Sequence, residues 1–381
     1  MLSLVKEQAT DSSLSLSRTI VEYFAGIGLV RMGLEEVGWK VLYSNDWSQR
    51  KRTMYEAFFP GADHYVCDDI FEVDTKSIPL ATLATCSFPC IDLSLAGNYN
   101  GIHGKHSSAF WGFVKVLQEQ GDRAPSLVLV ENVPGWLSSN RGADFKVTIK
   151  ALNDLGYTCD VFTLNAIHFT PQSRRRIFVI GSRHDVPKFD SEILFQRSSF
   201  LAPDRLKEAI LYNRELAWTS LNIPEPPPPL RSGLTAKVIE RISQDDPRWW
   251  PRKEVERHVN MISAAQRERI DLLANHRTFS YRTFFRRRRD GAQRVEIRND
   301  DISGCLRTAI GGSSRQFIIM AGRGQIRMRN MTSREYARLQ GVPDSYPITV
   351  DENQALTGFG DAVCVPAISW IGRNALEQLI R

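Results

Sequence analysis

The chain is poor in cysteine, and its few cysteines are wrongly spaced for two common uses. Six stand at positions 67, 86, 90, 159, 305 and 364 of 381 residues, too sparse and scattered for a disulfide framework. None forms a Cys-x-x-Cys pair, which argues against structural zinc, and no metal is expected. No apolar run approaches the ~20 residues that a membrane span needs. The opening "MLSLVKEQATDSSLSLSR" lacks the basic-then-apolar order of a signal segment. The chain therefore reads as a soluble protein without a membrane partner, cytoplasmic or, in a host with a nucleus, nuclear. Internal repeats are absent.

One region lacks lysine altogether. Between His276 and Arg329 lie thirteen arginines, no lysine and four acids, interleaved with Phe279, Tyr281, Phe284 and Phe285. The whole chain carries only +6 at a pI of about 9.0, so the concentration says more than the total. Arginine suits bidentate phosphate and base-edge contacts, and a polyanion is the expected partner; a solvated basic face is the plainer alternative.

Residues 1–17 are Ser-rich and aperiodic, the pattern of a flexible tail. From residue 18 to about 185, apolar strands such as "RTIVEYF", "KVLYSND", "LATLAT" and "SLVLVEN" alternate with amphipathic helices. That rhythm predicts an α/β fold, a Rossmann-like doubly wound and mostly parallel sheet covered on both faces. It fades over residues 186–325, where "IPEPPPPLRSG" and the arginine-rich stretch predict a second, smaller and irregular domain. The helical C-terminal segment, 326–381, is expected to pack back on the first domain. Within it, Thr332 and Glu335 have the spacing of a capping box.

Three strand ends carry ligand signals. Gly26 and Gly28 in "YFAGIGLVRMG" let backbone approach a ligand at a helix start. Arg31 occupies the place of a third fingerprint glycine, which weakens a nicotinamide-dinucleotide reading but leaves a nucleoside possible. Asp46 ends the second strand, twenty residues beyond Gly26, where an acid suits a ribose diol, and neighbouring Trp47 suits stacking on a purine. Asp69 in "CDDIF" suits an adenine amine. Singly, each is ordinary turn chemistry; their order at successive strand ends is the stronger signal.

Cys90 follows a proline just past the buried run "IPLATLAT", where loops carry reactive groups, although an inert buried thiol is the usual fate of a cysteine. Glu131 and Asn132 end the strand "SLVLVEN", on the same carboxyl-end rim of the sheet. Arg174, Arg175 and Arg176 open another strand, a cluster expensive to bury without an anionic partner.

Together these stretches resemble the cytosine-C5 DNA methyltransferase family. "FAGIG", "SNDW", "CDDI", "SFPCIDLS", "ENV", "QSRRR", "MTSREYARLQGVPD" and "GFGDAVCVP" match its motifs in family order, across essentially the chain outside residues 186–300. Ser87 stands where the family usually has glycine, and Asp361 where asparagine is common. The resemblance implies S-adenosyl-L-methionine as cofactor and S-adenosyl-L-homocysteine as product. It carries cofactor binding over to Phe24, Ala25, Gly26, Ile27, Gly28, Asp46, Trp47, Asp69, Ile70, Pro89, Asp361 and Ala362.

It further implies that a cytosine is flipped out of double-stranded DNA and that the Cys90 thiolate adds to C6. Glu131 would protonate N3, and Arg174 and Arg176 would fix the base or hold Glu131 and nearby phosphate. The base that removes the C5 proton is not identified. Arg286, Arg287, Arg288, Arg289, Arg307 and Arg315 are expected to contact DNA. The same chemistry on RNA stands as the alternative, although the Cys-Phe-Thr segment of the tRNA branch is not found; a catalytically silent DNA-binding relative is another. A monomer is expected, with a restriction endonuclease or other defence system as a possible functional partner.

Overall fold

The computed structural model describes residues 17–88, 109–289, 291–307 and 315–380. The expected tail, apart from its last residue, lies outside them. The first elements are β1 (Thr19–Tyr23), α1 (Leu29–Glu35), β2 (Lys40–Asn45), α2 (Gln49–Phe58), β3 (Tyr65–Val66) and β4 (Leu83–Cys86). After residue 108 follow α3 (Ala109–Gln120), β5 (Leu127–Asn132), α4 (Ala143–Asp154), β6 (Thr158–Asn165) and β7 (Arg175–Ser182). The remainder comprises α5 (Ser191–Gln196), α6 (Asp204–Tyr212), α7 (Arg252–Val259), α8 (Ala264–Ala274), β8 (Ser280–Arg289), β9 (Ala292–Ile297), β10 (Phe317–Gly322), β11 (Gln325–Asn330), α9 (Ser333–Leu339), α10 (Glu352–Asp361) and α11 (Val365–Asn374).

β1 to β7 form one sheet in the order β3-β2-β1-β4-β5-β7-β6. Its strands are apolar on both faces because both are covered. Leu127 and Leu129 enter one core, while Val128 and Val130 of the same strand enter the other. The pairs from β3 to β5 are parallel, whereas β7 runs antiparallel to both β5 and β6. Its reversal follows from chain length: nine residues, Ala166 to Arg174, separate β6 from β7, too few for a parallel crossover. The reversal also puts the start of β7 beside the carboxyl end of β5, with Ile177 paired to Asn132. The order of strand succession reverses between the parallel neighbours β1 and β4, which makes the crevice at their carboxyl ends the natural ligand position.

The C-terminal helices close the first core. A Cβ on Gly33 would lie 2.7 Å from the Cβ of Ile368, so only glycine lets α1 and α11 approach this closely. Residues Glu352–Leu379 are apolar enough for a membrane span, yet 72 % of the most apolar window is buried inside the protein. Extended backbone at Ala362 and Cys364 breaks the stretch into α10 and α11. The Thr332–Glu335 capping box forms as its spacing predicts. Glu335 also pairs with Arg329, both fully buried, tying α9 to β11.

β8 to β11 form the second sheet, four antiparallel strands ordered β11-β10-β8-β9. Its core is Phe284, Val295, Phe317, Ile319 and Met328 with Ile270 and Ala274 of α8. This unit differs in extent from the expected 186–325. Leu194, Leu206 and Ile210 of α5 and α6 belong to the core of the first sheet, as do Leu221, Ile223 and Leu234 on its opposite face. A buried ion pair fixes that wrap: Arg197 bonds both carboxylate oxygens of Asp160 on β6, and Asp160 Oδ2 accepts the Leu221 N–H. At its other end, β11 continues to Asn330 and so crosses the expected boundary at 325/326.

Glu22 on β1 is 1 % exposed, and among the described residues neither carboxyl oxygen has a close hydrogen-bond partner. Burial pushes its pKa up to about 8, against the attraction of the Arg31 guanidinium. The folded state therefore holds a proton that the unfolded chain releases near its ordinary carboxyl value. The stability gained from this neutral carboxyl is complete below about pH 4.5 and is lost as pH rises toward 8. Chemical denaturation at pH 6 and 8.5 should show wild type losing on the order of a few kcal/mol more than Glu22→Gln. Parallel pH profiles would contradict this assignment.

Candidate active site

The loop after β1 is fixed before any ligand arrives. Phe24, Gly26 and Gly28 all have positive φ, at 56°, 58° and 83°. A Cβ on Gly28 would stand 2.6 Å from the ring of Phe59, so space as well as conformation demands glycine. Asp46, 4 % exposed, accepts the Gly26 N–H at 3.0 Å and the Ser48 N–H at 2.9 Å. Tyr65 donates to the Gly26 carbonyl at 3.2 Å, and the Tyr346 hydroxyl reaches the carbonyls of Ile27 (3.1 Å) and Met54 (3.0 Å). Ala25 completes the turn by donating its N–H to Asn45 O.

Arg31 is engaged with neighbouring side chains of α1 and α2. Its guanidinium lies 4.0 Å over the Phe59 ring and donates to Glu35, which accounts for a large residue at the third-glycine position. Trp47 is 77 % exposed, an unusual state for tryptophan. Asn45 holds the chain after β3 by donating to the carbonyls of Val66 and Asp68. Asp69 is exposed and accepts the Phe71 N–H, while Ile70 is buried. A carboxylate offers about four acceptor positions, so Asp46 keeps capacity for a diol. The left-handed glycines, this carboxylate and the open indole together fit a nucleoside-containing cofactor.

Pro89 and Cys90 lie outside the described residues. The chain that leads to them is described as far as Phe88, 3 % exposed, whose carbonyl accepts a bond from Asn132 Nδ2 at 3.3 Å. Asn132 Oδ1 accepts the Val133 N–H at 2.7 Å. Thus the end of β5 holds the last described residue after β4. Next to Asn132, Glu131 is 8 % exposed and meets Arg176 at 2.8 Å, Nε to Oε1.

Residues 172, 174 and 176 act together at the start of β7. Gln172 is fully buried; its side chain donates to Leu339 O at 2.9 Å and accepts the Leu306 N–H at 3.1 Å. Arg174, 3 % exposed, donates to Leu306 O and Ala362 O, each at 2.7 Å. Burial, with the nearby Arg176 charge, lowers its pKa to about 10. Arg174 is thus a brace between β7, the second unit and the turn after α10. Arg176 reaches Glu131, and Arg175 is exposed between them.

Cys305 was not singled out from sequence, yet its sulfur lies 3.7 Å from Arg174 Nη1 and 3.9 Å from Arg176 Nη1. Burial alone would raise this thiol; the charges of Arg174 and Arg176 overcome it and leave the pKa below the ordinary cysteine value. Gln172, Gln340 and Tyr346 were not singled out either; Gln340 Nε2 donates to Phe359 O at 2.7 Å and Ala362 O at 2.9 Å. Gln172 and Gln340 stand within the stretches that match family motifs, whereas nothing in the spacing marks Tyr346, whose partners are backbone carbonyls far away in sequence.

The arginine run divides between two faces of β8, as strand alternation requires. Arg286 lies 4.9 Å from the Phe317 ring, on the side packed by Phe284. Phe285, Arg287 and Arg289 share the opposite face, where Glu296 pairs with both arginines. Arg287 also stands directly across from Arg294, a like-charge placement that is unfavourable without an anion. Arg288 and Arg307 are exposed, and Arg315 bonds Asn353.

The two carbonyls held by Arg174 supply a direct test of its structural role. Arg174→Lys should destabilise the fold by about 2–4 kcal/mol, because one ammonium cannot replace a two-pronged donor and leaves a buried carbonyl unpaired. Urea unfolding checks this. A loss below about 1 kcal/mol would mean that both carbonyls find other donors.

The sequence profile "C-5 cytosine-specific DNA methylase" matches residues 18–377. Among curated relatives, the type II methyltransferase M.HpaII of Haemophilus parainfluenzae is 27 % identical, covering 98 % of this chain and 93 % of its own. The type II methyltransferase M.HhaI of Haemophilus parahaemolyticus is 26 % identical, covering 94 % of each chain. Among solved structures, the Dnmt2 methyltransferase of S. pombe superimposes with a TM-score of 0.60 at 16 % identity, covering 95 % of this chain and 99 % of its own. Matched along nearly its whole length, the chain belongs to the C-5 cytosine-specific DNA methylase family.

Proposed function

We propose that this methyltransferase acts on cytosine in double-stranded DNA, with Cys90 as nucleophile and Glu131 as proton donor. The observation that carries the reading is the Arg176–Glu131 contact at the carboxyl end of β5, beside the Asn132–Phe88 bond that anchors the segment leading to Cys90. Members of the family use S-adenosylmethionine, which when bound supplies an electrophilic methyl group. The Gly26–Gly28 loop, Asp46 and Trp47 offer backbone, diol acceptor and stacking face for it, with Asp69 and Ile70 toward the purine.

Cytosine C5 is too weak a nucleophile to attack a methyl group unaided. Attack of the Cys90 thiolate on C6 forms a C–S bond and displaces the C5–C6 π electrons. A proton from Glu131 to N3 neutralises the charge that would otherwise build on the ring. Arg176 holds the carboxyl in place, and Arg174 holds the backbone from which Arg176 extends. After methylation, loss of the C5 proton to a base, expulsion of the Cys90 thiolate and return of the N3 proton to Glu131 restore the aromatic ring and the starting carboxyl. The base must leave the duplex for this, which takes a few kcal/mol that backbone contacts offset.

The exposed face of β8 and β9 fits those contacts. Arg287, Arg289 and Arg294 present positive charge there, with Arg288 and Arg307 exposed nearby in sequence. At its other end this face meets the catalytic unit: Tyr281 packs on the first core, and Thr283 accepts the Gly304 N–H. Arg286 fits a packing role better than a DNA contact.

Expression in a host that lacks cytosine methylation, followed by bisulfite sequencing, tests the proposal. Wild type should protect cytosines in one recurring context, and Cys90→Ala should protect none. Glu131→Gln should lower turnover at least about a hundredfold while DNA affinity changes little. Unmethylated DNA together with methylated RNA from the same cells would overturn the DNA assignment.

A further inference from the structure

Lys51 lies beside the glycine loop and takes no part in the chemistry above. It sits in the first turn of α2, with its N–H capped by the Ser48 hydroxyl at 3.4 Å. Its Cδ is 3.9 Å from where a Cβ on Gly26 would be, so the aliphatic stem borders the loop. Its ammonium meets Asp361 Oδ2 at 3.2 Å, with the two side chains 24 % and 31 % exposed.

Each charge stands at the wrong helix end for its sign. Lys51 is near the N-terminus of α2, where the helix dipole disfavours a cation, and Asp361 is the last residue of α10, where it disfavours an anion. A partly exposed ion pair compensates only weakly for such placements. A ligand with both charges adjacent would compensate for both at once. The α-amino-acid group has that form, a carboxylate and an ammonium on one carbon.

We propose that the Lys51–Asp361 pair receives the zwitterionic amino-acid end of the cofactor, Lys51 on the carboxylate and Asp361 on the ammonium. Lys51 is then a cofactor-binding residue, and an acid at position 361 is matched by a lysine across the loop. The assignment rests on the reading of the Gly26–Gly28 loop as the cofactor site.

Calorimetric titration of the full chain with three ligands separates the possibilities: S-adenosylhomocysteine, its decarboxylated analogue, and 5′-methylthioadenosine, which lacks the amino acid. Lys51→Met should weaken S-adenosylhomocysteine about ten- to a hundredfold, as loss of a charged hydrogen bond does. Affinity for the other two should stay within about twofold of wild type. Asp361→Asn should weaken S-adenosylhomocysteine and the decarboxylated analogue, both of which keep the ammonium, and leave methylthioadenosine unchanged. Equal weakening of all three ligands by Lys51→Met would show a structural role, and no weakening would show no contact; either overturns the proposal. Failure of wild type to bind any of them would instead overturn the cofactor site itself.

Discussion

A guanidinium inside a protein must find partners, and Arg174 satisfies that requirement by joining parts of the chain far apart in sequence. Its two carbonyl partners belong to residues 306 and 362, one from the arginine-rich region and one from the turn after α10. Gln172 repeats the pattern with Leu306 and Leu339. These contacts lock the start of β7 against both the second unit and the C-terminal helices. Arg176, next on the same face, is thereby aimed at Glu131. The Glu131 carboxyl is thus positioned through Arg176 by contacts made far from it in sequence.

The same economy governs the other half of the crevice. The β1 loop is held by Asp46, Tyr65 and Tyr346, three side chains from three separate segments. A loop built this way does not have to be ordered when a ligand arrives, so binding energy is not spent on folding it. Phe24 in a left-handed conformation is consistent with strain retained at a ligand-binding turn.

Much of this was legible from sequence, for a definable reason. Buried strands and amphipathic helices announce themselves by period, and strand ends with Gly26, Asp46 and Glu131 fall on one rim once the sheet is assumed parallel. The antiparallel entry of β7 was not legible, because side-chain period carries no chain direction. It follows only from the nine-residue connection that precedes β7. Residues 191–240 lack regular rhythm and so suggested a separate domain; their anchor to the first sheet is the Arg197–Asp160 pair, whose members are distant in sequence. "RRRR" read as one patch becomes two faces as soon as it is a strand. Cys305 could not be found, since its character comes from arginines folded against it from elsewhere.

The proposed chemistry is covalent, with a thiol at Cys90 attacking C6 of a cytosine held against Glu131. Duplex DNA with 5-fluorocytosine at the target tests it directly, because fluorine at C5 cannot leave as a proton does and the C–S adduct has no way to resolve. With S-adenosylmethionine present, a denaturation-resistant protein–DNA complex should form, and peptide mass spectrometry should place the link on Cys90. A link on Cys305, or DNA binding without any covalent complex, would contradict the account.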